Sequence, residues 1–178
     1  MDSAERTTLG VDYGTVRIGL ALALPGGGLI VPLETLPHPG DEAGAAAAVA
    51  AVARSKSADE VVIGDPLHMD GSESPMALRA RRFGELLAEA SGLEVHHQDE
   101  RLTSQAAERQ LREAGYDLRS VDKGHIDAIA AMGILRDFLQ RHGRLSESSA
   151  APPPEPDLPE PEPRRGRRAR RRDLRRRR

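Results

Sequence analysis

The chain has 178 residues, room for one globular domain and an appendage. With no cysteine it has no disulfide framework, thiolate zinc site or cysteine nucleophile, and at 2% aromatic content it lacks the stacking platform on which RNA-recognition and oligonucleotide-binding barrels hold bases. The formal net charge of −2 divides unevenly: residues up to Ser149 carry 15 basic and 23 acidic side chains, whereas those from Ala150 onward carry 11 Arg and 5 acids, so a body of net −8 is joined to a tail of net +6.

Leu9–Asp12 reads as a short strand, and after the loop Tyr13–Val16 the segment Arg17–Leu24 alternates with period two. Ile18, Leu20, Leu22 and Leu24 share one face; Gly19, Ala21 and Ala23 share the other, which is small enough to let a helix approach closely. Pro25–Gly28 is a turn cluster, and Leu29–Leu36 a third strand whose Pro32 lacks a ladder donor and confines it to a sheet edge. A three-stranded antiparallel meander follows. Asp41–Ser55 is Ala-rich and helical; its Ala45–Ala53 stretch is the longest apolar run, far short of the roughly 20 residues a membrane span needs. With the polar start Met1–Leu9, this gives a soluble cytoplasmic protein with no membrane partner as the expectation.

Glu60–Gly64 is a short apolar strand of the buried parallel type. Ser74 caps a helix with Pro75 at its first position, and Met76, Ala80, Phe83, Leu87 and Ala90 form its apolar stripe until Gly92. Leu93–Gln98 is a fifth strand. Thr103 caps a helix to Ala114 that Gly115 ends, and the last helix, about His125–Gln140, is apolar nearly all round in its first turns, which marks it as buried. Pro152–Pro163 alternates proline with acids and reads as an extended linker; Arg164–Arg178 repels itself and stays disordered. The expected organisation is a folded domain over 1–144, a Pro/acidic linker over 145–163 and an Arg-rich tail over 164–178. The tail attracts polyanions without reading sequence.

Several acids fall at awkward places in this α/β order. Asp12 ends the first strand, Asp99 and Glu100 end the fifth, and Asp127 lies in the first turn of the buried helix among Ile126, Ala128 and Ile129. Parallel strands bring their carboxyl ends to one sheet edge, where α/β folds hold ligands. Three carboxylates within about 5 Å repel by roughly 3 kcal/mol per pair at an effective dielectric near 20, and a divalent cation is the natural relief. An oxygen-only donor set suits Mg²⁺ or Mn²⁺, and two such ions about 4 Å apart clamp a phosphodiester displacement. Asp12 before Gly14 also fits an ordinary turn, and Asp127 near a helix N-terminus also fits a dipole partner. The six His show no ligand spacing and are read as structural or exposed.

The segments LGVDYGTVRIGLA (Leu9–Ala21), VVIGDPLHMDGSE (Val61–Glu73), DERLTS (Asp99–Ser104) and IDAIAAMGIL (Ile126–Leu135) together resemble the YqgF family, RNase H-like bacterial proteins described as pre-16S rRNA nucleases and Holliday junction resolvases. The resemblance covers about Leu9–Gln140. It implies a ribonuclease-H-like fold, here a five-stranded mixed sheet with flanking helices, and a nuclease with two Mg²⁺ or Mn²⁺ ions that matures the 5′ end of 16S rRNA. Carried over by motif, Asp12, Glu100 and Asp127 are the catalytic, metal-binding carboxylates. Of the neighbours Asp99 and Glu100 only one faces the site if the strand is regular, and the motif selects Glu100. Arg17 and Arg101 are the expected phosphate contacts, joined by Arg164, Arg165, Arg167 and Arg168 of the tail.

The chain departs from the family pattern at Val16, where a second basic residue is usual, and at Asp65 and His68, where the pattern has Leu and Asn. Asp65 is either a further metal ligand or a loop acid that caps the turn before Pro66, and the loop reading is preferred. The implied partners are structured RNA, pre-16S rRNA or a pre-ribosomal particle. The alternatives are a junction resolvase, which takes branched DNA and needs a homodimer to cut two strands, and a non-catalytic ribosome-assembly or nucleic-acid-binding factor.

Overall fold

The computed structural model describes residues 5–66, 74–99 and 123–145. Its elements run β1 (Thr8–Tyr13), β2 (Arg17–Ala23), β3 (Ile30–Pro32), β4 (Leu36–Pro37), α1 (Glu42–Ser55), β5 (Glu60–Asp65), α2 (Pro75–Ser91), β6 (Glu94–Asp99) and α3 (Lys123–Arg141). The helix expected at Thr103–Ala114, the linker and the Arg-rich tail lie outside the described residues.

The strands form one mixed sheet in the order β3-β2-β1-β5-β6, with β4 also paired to β2. β1, β2 and β3 are antiparallel neighbours, while β5 runs parallel to both β1 and β6. This is the mixed α/β architecture expected, with one correction. The expected third strand over Leu29–Leu36 is two strands, because the chain leaves β2 after Leu33 and rejoins it at Leu36, making six strands instead of five. Pro32 stands on the outermost strand, where a missing N–H costs no ladder bond.

The two faces of the sheet bury different cores, and strand alternation sorts the residues between them. Leu9, Val11, Tyr13, Ile18, Leu20, Leu22, Val61 and Ile63 pack with Val49 of α1 and Phe83 and Leu87 of α2. Ala21, Ala23 and Val62 pack against Ala131, Ile134, Leu135 and Phe138 of α3. Each large apolar side chain so buried contributes roughly 1.5–3 kcal/mol relative to exposure. β5, between two strands and under helices on both faces, is buried at all six positions, hence its unbroken apolar run.

The helix ends follow from local chemistry. The Asp41 carboxylate accepts the Gly44 N–H at 3.1 Å to start α1, and the Ser74 hydroxyl accepts the Ala77 N–H at 2.9 Å to start α2. Gly92 closes α2 at φ 73°, the left-handed conformation that glycine adopts without a Cβ penalty. The α2 stripe differs from expectation at its end: Ala90 is exposed, and Ala77 and Gly84 are buried instead. α3 is described from Lys123, before the expected His125, so Asp127 lies no nearer the helix start than the fifth position and the first described turn holds no acid. The helix-dipole reading of Asp127 therefore falls away, since that effect is confined to the first turn.

At the edge of the sheet where β5 begins, Glu60 is 1% exposed and holds the chain's two described ends together. Its carboxylate accepts hydrogen bonds from Thr8 Oγ1 at 2.8 Å, from Arg6 Nη1 at 3.1 Å and from buried Arg144. Arg144 also donates to Thr8 Oγ1 at 3.1 Å and stands over the Phe138 ring. Burial by itself pushes the Glu60 carboxyl up, but the hydrogen bonds from Arg144, Thr8 and Arg6 outweigh it and hold the group below its ordinary value.

Candidate active site

Asp12 is the fifth residue of β1 and faces the same side of the sheet as Gly10, whose missing side chain leaves room for Leu135 and the Ala131 carbonyl of α3. Its cross-strand partner on β2 is Gly19. A Cβ at Gly19 would stand 2.1 Å from the Asp127 carbonyl oxygen, so the absence of one lets the start of α3 lie directly on the hairpin. The small face Gly19, Ala21, Ala23 thus does what its alternation implies: it brings the Asp127 backbone down beside Asp12.

The electrostatic result is an acid pair. Burial pushes the Asp12 carboxyl up from its ordinary 3.8 to about 7, and the negative charge of Asp127 adds to the shift. Asp127 is balanced on its other side, where Arg17 Nε donates to Asp127 Oδ2 at 2.7 Å. Arg17 shares the Gly19 face of β2 by alternation, and its side chain remains 37% exposed. Asp12, Asp127 and Arg17 therefore converge from three elements.

The loop Gly14–Val16 between Asp12 and Arg17 is held from below by His38, one of the six histidines that the sequence alone marks only as structural or exposed. The His38 ring Nδ1 lies 2.8 Å from the Gly14 carbonyl, within hydrogen-bond reach, and its backbone N–H donates to the Val16 carbonyl at 2.8 Å. The ring is buried beside Tyr13 and Phe83. A lone histidine between two prolines has no periodicity, and its only signal is that Pro37 and Pro39 fix its backbone.

Asp65 is placed elsewhere. It ends β5, a strand position and not the loop that was expected, and accepts from Arg81 of α2 at 2.8 and 3.1 Å. Val61 and Ile63, which share its parity, pack in the α1/α2 core, so Asp65 stands on the sheet face opposite Asp12. Asp99 is its register partner on β6 and shares that face with Val95 and His97, the latter set against Gly84 of α2. The sheet thus brings Asp12 and Asp127 together and keeps Asp65 and Asp99 apart from them. Glu100, Arg101 and Arg164, Arg165, Arg167 and Arg168 lie outside the described residues. Among the described residues no three acids or histidines gather closely enough to hold a metal ion, and Asp12 with Asp127 supplies two carboxylates.

A groove of about 530 Å³ opens beside the pair, lined by Arg17, Pro32, Leu33, Glu34, Thr35, Gly124, His125 and Ala128. Its outer wall, the β3–β4 connection, is tied down at two points. The Leu33 N–H donates to the Leu20 carbonyl at 2.9 Å, and Thr35 Oγ1 donates to the Gly124 carbonyl of α3 at 2.7 Å.

The sequence model of a family designated RuvX and described as Holliday junction resolvase matches residues 6–141. A protein of Anaeromyxobacter sp. (strain Fw109-5) named "Putative pre-16S rRNA nuclease" is 44% identical over 135 residues, 75% of this chain and 97% of that protein. Proteins with the same name from Chloroflexus aggregans and Limosilactobacillus fermentum are 40% and 37% identical, over 76% and 77% of this chain and 94% and 95% of theirs. Among solved structures, the chain is similar to T. thermophilus RuvC in complex with Holliday junction substrate, with a TM-score of 0.48 and 18% identity over 78% of this chain and 97% of that one. No helix among the described residues is long and apolar enough to cross a membrane.

Proposed function

The chain belongs to the RuvX family, and from that premise we propose that it is a cytoplasmic metal-dependent nuclease that hydrolyses phosphodiester bonds and processes the 5′ end of pre-16S rRNA during ribosome biogenesis. The observation that carries the proposal is the acid pair itself: a half-buried Asp12 carboxyl, pushed up to about 7 by desolvation and by the charge of Asp127, a second carboxylate that Arg17 pairs on its other side. A fold keeps two such groups together at a cost of several kcal/mol, and a bound divalent cation removes that cost.

The donor set fits the ion. It is all oxygen, as Mg²⁺ and Mn²⁺ prefer, and Asp12 and Asp127 would hold the metal, with Glu100 as the third carboxylate. Asp99 faces α2, which supports giving the role to its neighbour. When bound, a pair of such ions supplies Lewis-acid stabilisation of the phosphate charge and a water of lowered pKa. The protein's own part is positional. Arg17 fixes the rotamer of Asp127 through Nε and keeps a cationic edge toward solvent, where a phosphate arrives; Arg101 is proposed to add a second phosphate contact. His38 fixes the loop that sets Asp12 against Arg17.

Residues 1–144 constitute the nuclease unit in this reading, and the burial of Arg144 against Glu60 supports an end there. The linker over 145–163 then lets the Arg-rich segment 164–178, including Arg164, Arg165, Arg167 and Arg168, reach phosphates of the RNA or of a pre-ribosomal particle without choosing the cut.

The second reading, cleavage of branched DNA, is favoured by the description of the matching family and requires a homodimer for symmetric cuts. A side-by-side assay separates the two. Given Mg²⁺ or Mn²⁺, a 5′-extended 16S precursor RNA and a four-way DNA junction, the full chain is expected to cut the RNA and leave the junction intact. Paired cuts in the junction alone reverse the order of the readings, and binding without cleavage of either makes the protein a non-catalytic assembly factor.

A further inference from the structure

The groove beside the acid pair has a composition that a phosphate site would not have. Arg17 stands at its inner end, while Glu34, an exposed carboxylate, stands on its outer wall with Thr35. A carboxylate repels a phosphodiester, so the Glu34 end suits a neutral part of the nucleic acid that donates hydrogen bonds. Pro32, Leu33 and Ala128 supply an apolar wall, and the His125 imidazole is the one aromatic ring among the described residues that line the groove. The ties from Leu33 to Leu20 and from Thr35 to Gly124 hold the wall in place, as a preformed site requires.

We propose that this groove receives the ribose of a nucleotide adjacent to the scissile phosphate, with the Glu34 carboxylate accepting a hydrogen bond from the 2′-hydroxyl, and that it is the element by which the site distinguishes RNA from DNA. The 2′-hydroxyl is the group by which RNA differs from DNA at any one position. The geometry is consistent: Arg17 belongs both to the acid pair and to the groove, so a strand whose phosphate lies at Arg17 places a neighbouring sugar along the wall. The inference rests on the nuclease reading for the position of the scissile phosphate, and its test is read by binding so that the two fail separately.

Fluorescence anisotropy of the full-length Asp12→Asn protein provides the test, in salt high enough to suppress contacts of the Arg-rich segment with phosphates. The probes are a short oligoribonucleotide, the same sequence as DNA, and a series in which a single 2′-deoxy position is walked along the RNA. RNA is expected to bind about tenfold more tightly than DNA, with the loss concentrated at one or two walked positions, as for one hydrogen bond to a charged acceptor. Adding Glu34→Ala, a change at an exposed residue, is expected to make RNA, DNA and the walked series bind alike, and Glu34→Gln to restore part of the difference. Equal affinity for RNA and DNA without the Glu34 change, or discrimination that survives Glu34→Ala, overturns the inference. Cleavage of the same oligonucleotides by the wild-type chain is scored separately: discrimination in binding with no cleavage upholds the groove and overturns the nuclease reading.

Discussion

Gly19 and Asp127 lie in backbone contact: a Cβ on Gly19 would stand 2.1 Å from the Asp127 carbonyl oxygen and 2.9 Å from the Asp127 Cβ. Because Gly19 is also the cross-strand partner of Asp12, one missing side chain determines how closely the two carboxylates approach. The two nearest atoms in the way are the Asp127 carbonyl carbon and oxygen, which cannot rotate aside as the end of a flexible side chain would.

Gly19→Ala is therefore expected to push the start of α3 off the hairpin. The cost in stability is about 1–3 kcal/mol, in the range for overpacking a close-packed core, and urea denaturation measures it. Metal-dependent cleavage should fall further than the loss of folded protein explains, since the displaced segment carries Asp127. Full activity per folded molecule would show that the Asp12–Asp127 approach is not what the site depends on.

The Asp12 carboxyl gives a pH dependence with a definite sign. Its value of about 7 in the fold exceeds the ordinary 3.8, through burial first and the Asp127 charge second. The folded state then holds a proton that the unfolded chain has released, so metal-free stability from this group is greatest below 3.8 and declines as the pH rises toward 7. Mg²⁺ or Mn²⁺ replaces that proton. Thermal melts should show the metal-free protein losing stability across this range relative to Asp12→Asn, and stabilisation by added cation growing as the pH rises. A cation effect of equal size at all pH values, or one retained in Asp12→Asn, would contradict it.

Much of this was legible in the residues. The alternation of Ile18, Leu20 and Leu22 with Gly19, Ala21 and Ala23 gave both the hairpin partner and the face that receives α3, because period two in a strand assigns faces directly. Ser74–Pro75 and Gly92 marked α2 at both ends for equally local reasons. What was not legible depends on registers between distant elements. Pro66 after it makes Asp65 look like a loop acid in the sequence; its partner Arg81 becomes a neighbour only once α2 lies along β5. β4, at two residues, is too short to carry a period. Glu60 and Arg144 are 84 positions apart, and nothing local to either announces the other.

That last pair predicts an asymmetric response to mutation. Glu60→Gln leaves the buried Arg144 guanidinium without its counter-charge and is expected to cost about 3–5 kcal/mol, whereas Glu60→Leu combined with Arg144→Met should recover most of the loss. The wild type should also be more acid-sensitive than Glu60→Gln. Its carboxyl is held below the ordinary value of 4.5, so the stability it contributes is present above that value and is lost as the pH falls through the folded-state value. Denaturation of the single and double variants over a pH series is the check, and a double variant as unstable as the single one would contradict it.

The Arg-rich segment predicts a separation of binding from chemistry. Truncation after Ser149 removes 11 Arg, and it should weaken RNA binding and flatten its dependence on salt, because fewer counterions are released. Metal-dependent cleavage at saturating RNA should remain. An unchanged salt slope would show that the segment makes no phosphate contacts.

The central claim, that Asp12 and Asp127 form the metal-holding core of a nuclease, is tested most directly by single-turnover cleavage of a 5′-extended 16S precursor RNA by the wild type and by Asp12→Asn. Asp12→Asn keeps the shape of the side chain and removes its charge. The account predicts cleavage by the wild type that requires Mg²⁺ or Mn²⁺ and stops on chelation, and a loss of at least about 100-fold in Asp12→Asn, the scale of removing one electrostatic contributor from an active site. Cleavage by Asp12→Asn at the wild-type rate would place the active site elsewhere.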